Sequence, residues 1–168
     1  MHGRIPTGSS TGKATMAEGG KRKLESWIES FIEQTAALDS PVIFRRWAAI
    51  STLAAVVEQK VWVTTSRPMF PNVYVLILGH PGVGKTRTIR EARSYVTDLP
   101  DFHLAPVSLS FASLVDSLVG AKRMVVRLPD PPLEYNSMWI CAYELGAFVH
   151  KYDDEMIAGL SAFYDTRS

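Results

Sequence analysis

The chain has 168 residues, 46% hydrophobic and 21% charged, a composition that supports one folded domain with its own core and excludes a disordered or fibrous protein. Its formal net charge is +1, but Arg4, Lys13, Lys21, Arg22 and Lys23 fall in the first 23 positions against Glu18 alone, leaving 13 basic and 16 acidic residues for the rest. A globally basic nucleic-acid surface is thereby excluded, and any contact with DNA or RNA has to come from a local patch, the tail or an assembled oligomer.

Residues 1–23 are rich in Gly, Ser, Thr and Lys without an apolar period and read as a disordered basic tail, with Met16 as a second candidate start. From Leu24, apolar residues at 24, 27, 28, 31, 32 and 38 recur at helical spacing opposite Glu25, Glu29 and Glu33, which predicts an amphipathic helix. Asp39, Ser40 and Pro41 stop it and start another, a polar cap followed by proline in the first turn. That second helix, residues 42–58, is apolar on nearly every face except at Arg45, Arg46, Ser51 and Thr52, so burial all round is expected. Residues 61–65 (VWVTT) read as a short strand, and Pro68 and Pro71 punctuate the loop after it.

Residues 73–78 (VYVLIL) form a continuous apolar run ending at glycine, the pattern of a central strand in a parallel sheet covered on both faces. A helix follows from about Lys85 to Val96, and Ser110 caps another over residues 111–121 with Leu114, Val115 and Leu118 inward. Residues 122–136 read as a short strand and an irregular loop, and residues 138–143 (MWICAY) as a second central strand. Asp153 opens a last helix with Met156, Ile157, Leu160, Phe163 and Tyr164 on its apolar face. Alternating strands and helices predict an α/β fold, a P-loop NTPase (RecA/AAA+-like) parallel sheet preceded by helices. The division expected is a tail at 1–23, a leading helical segment with a short strand at 24–65, and the front portion of the nucleotide-binding core at 66–168.

The single cysteine, Cys141, excludes an internal disulfide framework and fits a reducing cytoplasm. The longest uncharged apolar stretch, residues 48–57, is about half of the ~20 residues needed to span a bilayer, and the N-terminus lacks the apolar core of a signal peptide. A cytoplasmic protein without membrane association is expected.

The chemistry-bearing motif is Gly79, His80, Pro81, Gly82, Val83, Gly84, Lys85, Thr86, which matches G-x-x-x-x-G-K-[ST] between an apolar run and a helix. Glycines at 79, 82 and 84 allow backbone turns closed to other residues and bring N–H groups close to phosphate oxygens. The helix N-terminus adds partial positive charge at the same place. Lys85 is placed to reach the β and γ phosphates of ATP, and the Thr86 hydroxyl to ligate Mg2+. The bland alternative is a glycine-rich turn that binds nothing.

Phosphoryl transfer at such a loop needs an acid on a neighbouring strand. Residues 142–144 are Ala, Tyr and Glu, so Glu144 is the candidate acid at the γ-phosphate, orienting water or holding Mg2+ through a water molecule. Its bland alternative is a glutamate opening a helix, where negative charge is favourable. The acidic run Asp153, Asp154, Glu155 reads as a solvated first turn rather than a metal site, and Arg87, Arg90 and Arg93 as a solvated helix face rather than a DNA contact. His80 and His103 have no partners at metal-ligand spacing, and the tryptophans sit in core-like patterns.

The stretch from about Trp27 to Asp165 resembles a family of P-loop ATPases found in phages, prophages, plasmids and bacteria, often attached to primase-like domains in replication proteins. The resemblance rests on the leading helices, Phe70-Pro71-Asn72 before the apolar run, GHPGVGKT, SLSFASLVDSL, YELGAFV and GLSAFYD. It implies nucleotide contacts from Gly79 through Thr86, an acid role for Glu144, an association with single-stranded DNA and a homo-oligomer of the full-length protein. Tyr143 stands where many such ATPases carry aspartate. The family continues past the acidic strand with a sensor strand and an arginine finger, so the chain looks like the front portion of a larger protein. The function expected is ATP hydrolysis in DNA replication of a mobile element. One alternative is a nucleotide-binding module with weak turnover that orders an oligomer; another is a small-molecule kinase, which would need an acceptor lid soon after the loop.

Overall fold

The computed structural model describes residues 26–66, 68–126, 129, 131–149 and 153–164. The expected tail at 1–23 and Leu24 lie outside them. Among the described residues the molecule is mostly helical, with six α-helices and two separate two-stranded antiparallel sheets.

Helix α1 (Trp27–Gln34) begins at Ser26, whose side chain accepts from the Glu29 N–H, and Thr35 closes it by hydrogen bonding its hydroxyl to Phe31 O at 2.6 Å. Capping by both ends offsets orphan backbone groups that an eight-residue helix cannot satisfy internally. Helix α2 (Val42–Val57) folds back on α1, and α3 (Lys85–Thr97) packs on α2. Phe31, Ala48, Ala49 and Ala92 form their shared core, flanked by Trp27, Ile28, Tyr95 and Trp139. The small alanines let the helices approach closely.

Helix α2 is not buried all round. Val42, Ile43, Trp47 and Leu53 are exposed, whereas Arg45 is buried and donates from Nη1 to Ile32 O at 2.6 Å. The long arginine stem packs between the helices while its head finds a carbonyl, so the residue expected outside lies inside. Trp47 and Trp62 are likewise exposed, outside the core that their sequence setting suggested.

The end of α2 is tied by Glu58, which has φ 50 and ψ −134, a conformation unusual without glycine. Its buried carboxylate accepts from Arg123 Nε at 3.0 Å and Tyr135 Oη at 2.9 Å, with Lys60 Nζ at 3.3 Å. Three donors around one buried carboxylate hold the backbone in that strained turn. Strand β1 (Val63–Thr64) pairs with β2 (Pro68–Met69), so Pro68 lies in a strand rather than a loop.

The second unit of packing contains α4 (Phe111–Gly120), α5 (Leu145–Phe148) and α6 (Asp154–Tyr164), centred on Leu114, Phe148 and Met156. Ser110 caps α4 through the Ser113 N–H, and the Asn136 amide donates to Leu118 O and Val119 O at its far end. Asp153 caps α6, its Oδ1 accepting from Met156 N–H at 2.9 Å. Met156 is fully buried, whereas Ile157 and Tyr164, assigned to the same apolar face, are about half exposed. Strands β3 (Lys122–Val125) and β4 (Leu133–Asn136) pair in register from Lys122 with Asn136 to Val125 with Leu133.

The parallel α/β sheet expected from the sequence is not present among the described residues. Residues 73–78 join no ladder, and Leu76 and Leu78 are 60% and 72% exposed where cover on both faces was expected. Residues 138–143 contribute a single parallel bridge, between Trp139 and Leu104, closed by Trp139 N–H to His103 O and Ala105 N–H to Trp139 O, both at 2.9 Å. The RecA/AAA+-like assignment is therefore corrected. An apolar run of strand length expresses side-chain preference, but a sheet also needs a neighbour at hydrogen-bonding distance, and that pairing is nonlocal.

Leu114 is 1% exposed at the middle of the second core. Leu114→Ala is expected to lower unfolding free energy by ~2–5 kcal/mol, read as a fall in urea midpoint. Arg46→Ala, which breaks the exposed pair with Glu29, is expected to cost ~0.5 kcal/mol or less in the same assay.

Candidate phosphate-binding site

The loop at 79–84 turns through two glycines at positive φ, Gly82 at 82° and Gly84 at 79°, and Gly84 is the N-cap of α3. Both conformations disfavour any residue with a Cβ, which is the local reason for glycine at these two positions. At Gly82 an added Cβ would meet nothing within 4 Å, so the loop is open there. At Gly84 it would collide with Asp39 O and lie 2.7 Å from Ser40 Cβ. At Gly79 it would lie 3.1 Å from both Phe44 Cζ and Val83 Cγ2. His80 and Pro81 are exposed and Val83 half-buried.

Lys85 reaches back over the loop, and its ammonium donates to Gly79 O and His80 O, each at 2.7 Å. The cation is thus held against two carbonyls at the start of the loop. Thr86, exposed on the first turn of α3, follows it. That turn contains no acidic residue of its own, and the partial positive charge of the helix end adds to that of Lys85. Open space at Gly82, the Lys85 ammonium and the first turn of α3 are the features with which this loop could receive a phosphate group.

Thr88, fully buried one turn into α3, hydrogen-bonds to Ser40 Oγ at 2.9 Å and Gly84 O at 3.1 Å. Ser40 was expected to cap α2. The N-cap is instead Pro41, without a side-chain cap, and the serine hydroxyl serves α3. Asp39, Ser40 and Phe44 all touch the loop or its helix, and sequence reasoning assigned none of them to the site. Their only local signal was a helix-start pattern, which carries no information about a partner 40 residues away.

Residues 138–143 run between the two cores. Met138, Ile140 and Ala142 pack on the Leu114 cluster, while Trp139 packs on the Phe31 cluster and donates from Nε1 to Ser51 Oγ at 3.2 Å. On α3, Arg93 Nη1 donates to Cys141 O at 3.4 Å, and Arg90 lies over the Tyr143 ring at 5.9 Å. Advancing along the segment from Cys141 to Tyr143 therefore means moving back along α3 from Arg93 to Arg90, toward Lys85. Glu144 follows in sequence, exposed and at the N-cap of α5 without a side-chain cap bond. Arg90 and Arg93, read from sequence as part of a solvated face, instead hold this segment against α3.

Among the described residues, no group of three or more His, Cys, Asp or Glu side chains converges as a metal cage. Mg2+ at phosphate sites is held chiefly by phosphate oxygens, waters and one or two protein oxygens, so the lack of such a group does not bear on the expected roles of Thr86 and Glu144. The acidic run at 153–155 divides into the α6 cap and two exposed first-turn residues, as a solvated helix start requires. A cavity of about 410 Å3 lies elsewhere, at the other end of α2, bordered by Ser51, Glu58, Asn136, Trp139 and Phe163. Glu58, Asn136 and Trp139 already spend their polar groups on hydrogen bonds within the protein. No helix among the described residues is long and apolar enough to cross a membrane.

Burial pushes the Cys141 thiol up from 9.0 to about 11, against a smaller lowering by the Arg93 charge. The thiolate is the reactive form, and its fraction falls tenfold per pH unit below the pKa. At pH 8 the folded chain is expected to react with a disulfide reagent at least ~100-fold more slowly than the urea-unfolded chain. Equal rates would show that residues 138–143 are not packed between the two cores.

Comparison of the chain with protein-family models, curated proteins and solved structures gave no match.

Proposed function

We propose that the chain binds Mg-ATP at Gly79 through Thr86 and hydrolyses it, acting as an ATPase in DNA replication of a mobile element. The observation that carries the nucleotide reading is the loop itself, which turns at Gly82 and Gly84 into the N-terminus of α3 with the Lys85 ammonium folded back on the Gly79 and His80 carbonyls. The replication setting and single-stranded DNA as a partner rest on the resemblance of GHPGVGKT and the segments around it to replication ATPases.

In this reading the loop N–H groups receive the phosphate oxygens, and Lys85 exchanges two carbonyl partners for the β and γ phosphates. A charge-assisted bond to phosphate replaces two bonds to neutral oxygens, which favours the exchange once the nucleotide is seated. Thr86 contributes its hydroxyl to Mg2+, which when bound neutralises charge developing on the transferred phosphoryl group. Glu144 orients water at the γ-phosphate; its position on the segment that runs back along α3 toward Lys85 supports that role.

Tyr143 favours a second reading, a nucleotide-binding module with weak turnover that orders an oligomer. Its ring lies beneath Arg90, where a metal-holding carboxylate would serve hydrolysis. The Glu144→Gln variant separates the two readings.

Equilibrium binding and phosphate release are the measurements, each with and without single-stranded DNA. Lys85→Ala is expected to weaken Mg-ATP binding by ~10- to 100-fold, the worth of hydrogen bonds to a charged group. Glu144→Gln is expected to retain binding and lose turnover by ~100-fold or more. Unchanged turnover in Glu144→Gln would remove Glu144 from the mechanism, and binding without turnover in the unaltered chain would favour the module. Absence of Mg-ATP binding by the unaltered chain would overturn the nucleotide reading.

A further inference from the structure

A phosphate loop must hold its backbone N–H groups in one arrangement before the ligand arrives, because ordering them afterwards subtracts from affinity. Here the run that leads into the loop, 73–78, joins no ladder among the described residues. The shape of the loop therefore has another source. Both of its ends meet one short segment, residues 39–44, at the corner between α1 and α2. At the start of the loop, Phe44 lies so close to Gly79 that a Cβ there would be 3.1 Å from its ring. At the end, Gly84 abuts the Asp39 carbonyl and the Ser40 Cβ. One turn further, Ser40 Oγ is hydrogen-bonded to buried Thr88, which also bonds to Gly84 O.

We infer that this corner is the brace of the nucleotide site, with Ser40 and Phe44 as positioning residues that hold the two ends of the loop 79–84 in phosphate-binding shape. The inference rests on reading residues 79–86 as that site. Neither side chain is assigned a contact with the nucleotide. Ser40 acts by fixing the first turn of α3, and hence the direction of its N–H groups. Phe44 acts by closing the space over Gly79, whose carbonyl accepts from Lys85.

The test uses the full chain and two readouts. Hydrogen exchange without nucleotide reads the brace directly: Ser40→Ala and Phe44→Ala are expected to speed exchange at residues 79–88 about fivefold or more, while α4 and α6 keep their protection. Mg-ATP binding reads its consequence, with an expected loss of about fivefold to tenfold for Ser40→Ala, the worth of roughly one hydrogen bond, and a loss for Phe44→Ala as well. Ser40→Cys, which keeps a polar γ atom without branching at Cβ, is expected to recover much of both values, separating positioning from a general loss of fold. Phe44→Leu, which refills much of the space over Gly79, provides the same control for the ring. Unchanged exchange at 79–88 overturns the brace, as does acceleration that spreads equally to α4 and α6. Localised acceleration in a chain that does not bind Mg-ATP would keep the brace and reject the nucleotide reading, so the two failures are distinguishable.

Discussion

Among the described glycines, Gly84 is the one pressed against another stretch of backbone, the carbonyl of Asp39. At that point the N-terminus of α3 meets the corner between α1 and α2 with room for a hydrogen atom and no more. Gly84 carries three requirements at once: a left-handed backbone conformation, a place for the neighbouring carbonyl, and the start of the helix whose first residues are Lys85 and Thr86. Because the contact is backbone against backbone, the chain cannot relieve a substitution there by moving a side chain. The loop at 79–84 and the helical corner thus form one unit, although Ser40 lies 39 positions before Gly79.

From this unit the rest of the candidate site follows along α3. Its buried face, Thr88, Ala92 and Val96, packs toward α2 and the first core. Arg90 and Arg93 hold the segment at 141–143 by a ring contact and a carbonyl bond. That segment is sandwiched between the two cores, with alternate side chains assigned to each. The cover on both faces expected of a central strand is therefore achieved by residues 138–142, though their backbone makes one bridge instead of a ladder. Side-chain burial and backbone pairing are separate achievements, and here the first is met without the second.

At the opposite end of α2, Glu58 performs a comparable service with charge instead of close packing. A buried carboxylate without partners would be costly, and three donors from Lys60, Arg123 and Tyr135 make it an anchor between α2 and the β3–β4 hairpin. Helix α2 consequently has one end packed on the loop at 79–84 and the other fixed to the hairpin beside α4. Ile43 and Trp47 on this helix are exposed.

The sequence alone determined what local chemistry dictates. Glycine spacing marked the turns at 82 and 84, Ser110 and Asp153 marked two helix starts, and apolar periodicity located α2, α3, α4 and α6 to within a residue or two. These features are legible because each depends on backbone geometry or capping within a few positions of the residue concerned. Tertiary structure decided which partners those elements found. It placed Arg45 inside and Trp47 outside, gave the Ser40 hydroxyl to Thr88 instead of its own helix, and left residues 73–78 without a ladder among the described residues. The composition of a run such as VYVLIL states a preference for strand but does not supply a neighbour, because backbone pairing and close packing depend on residues far away in the chain.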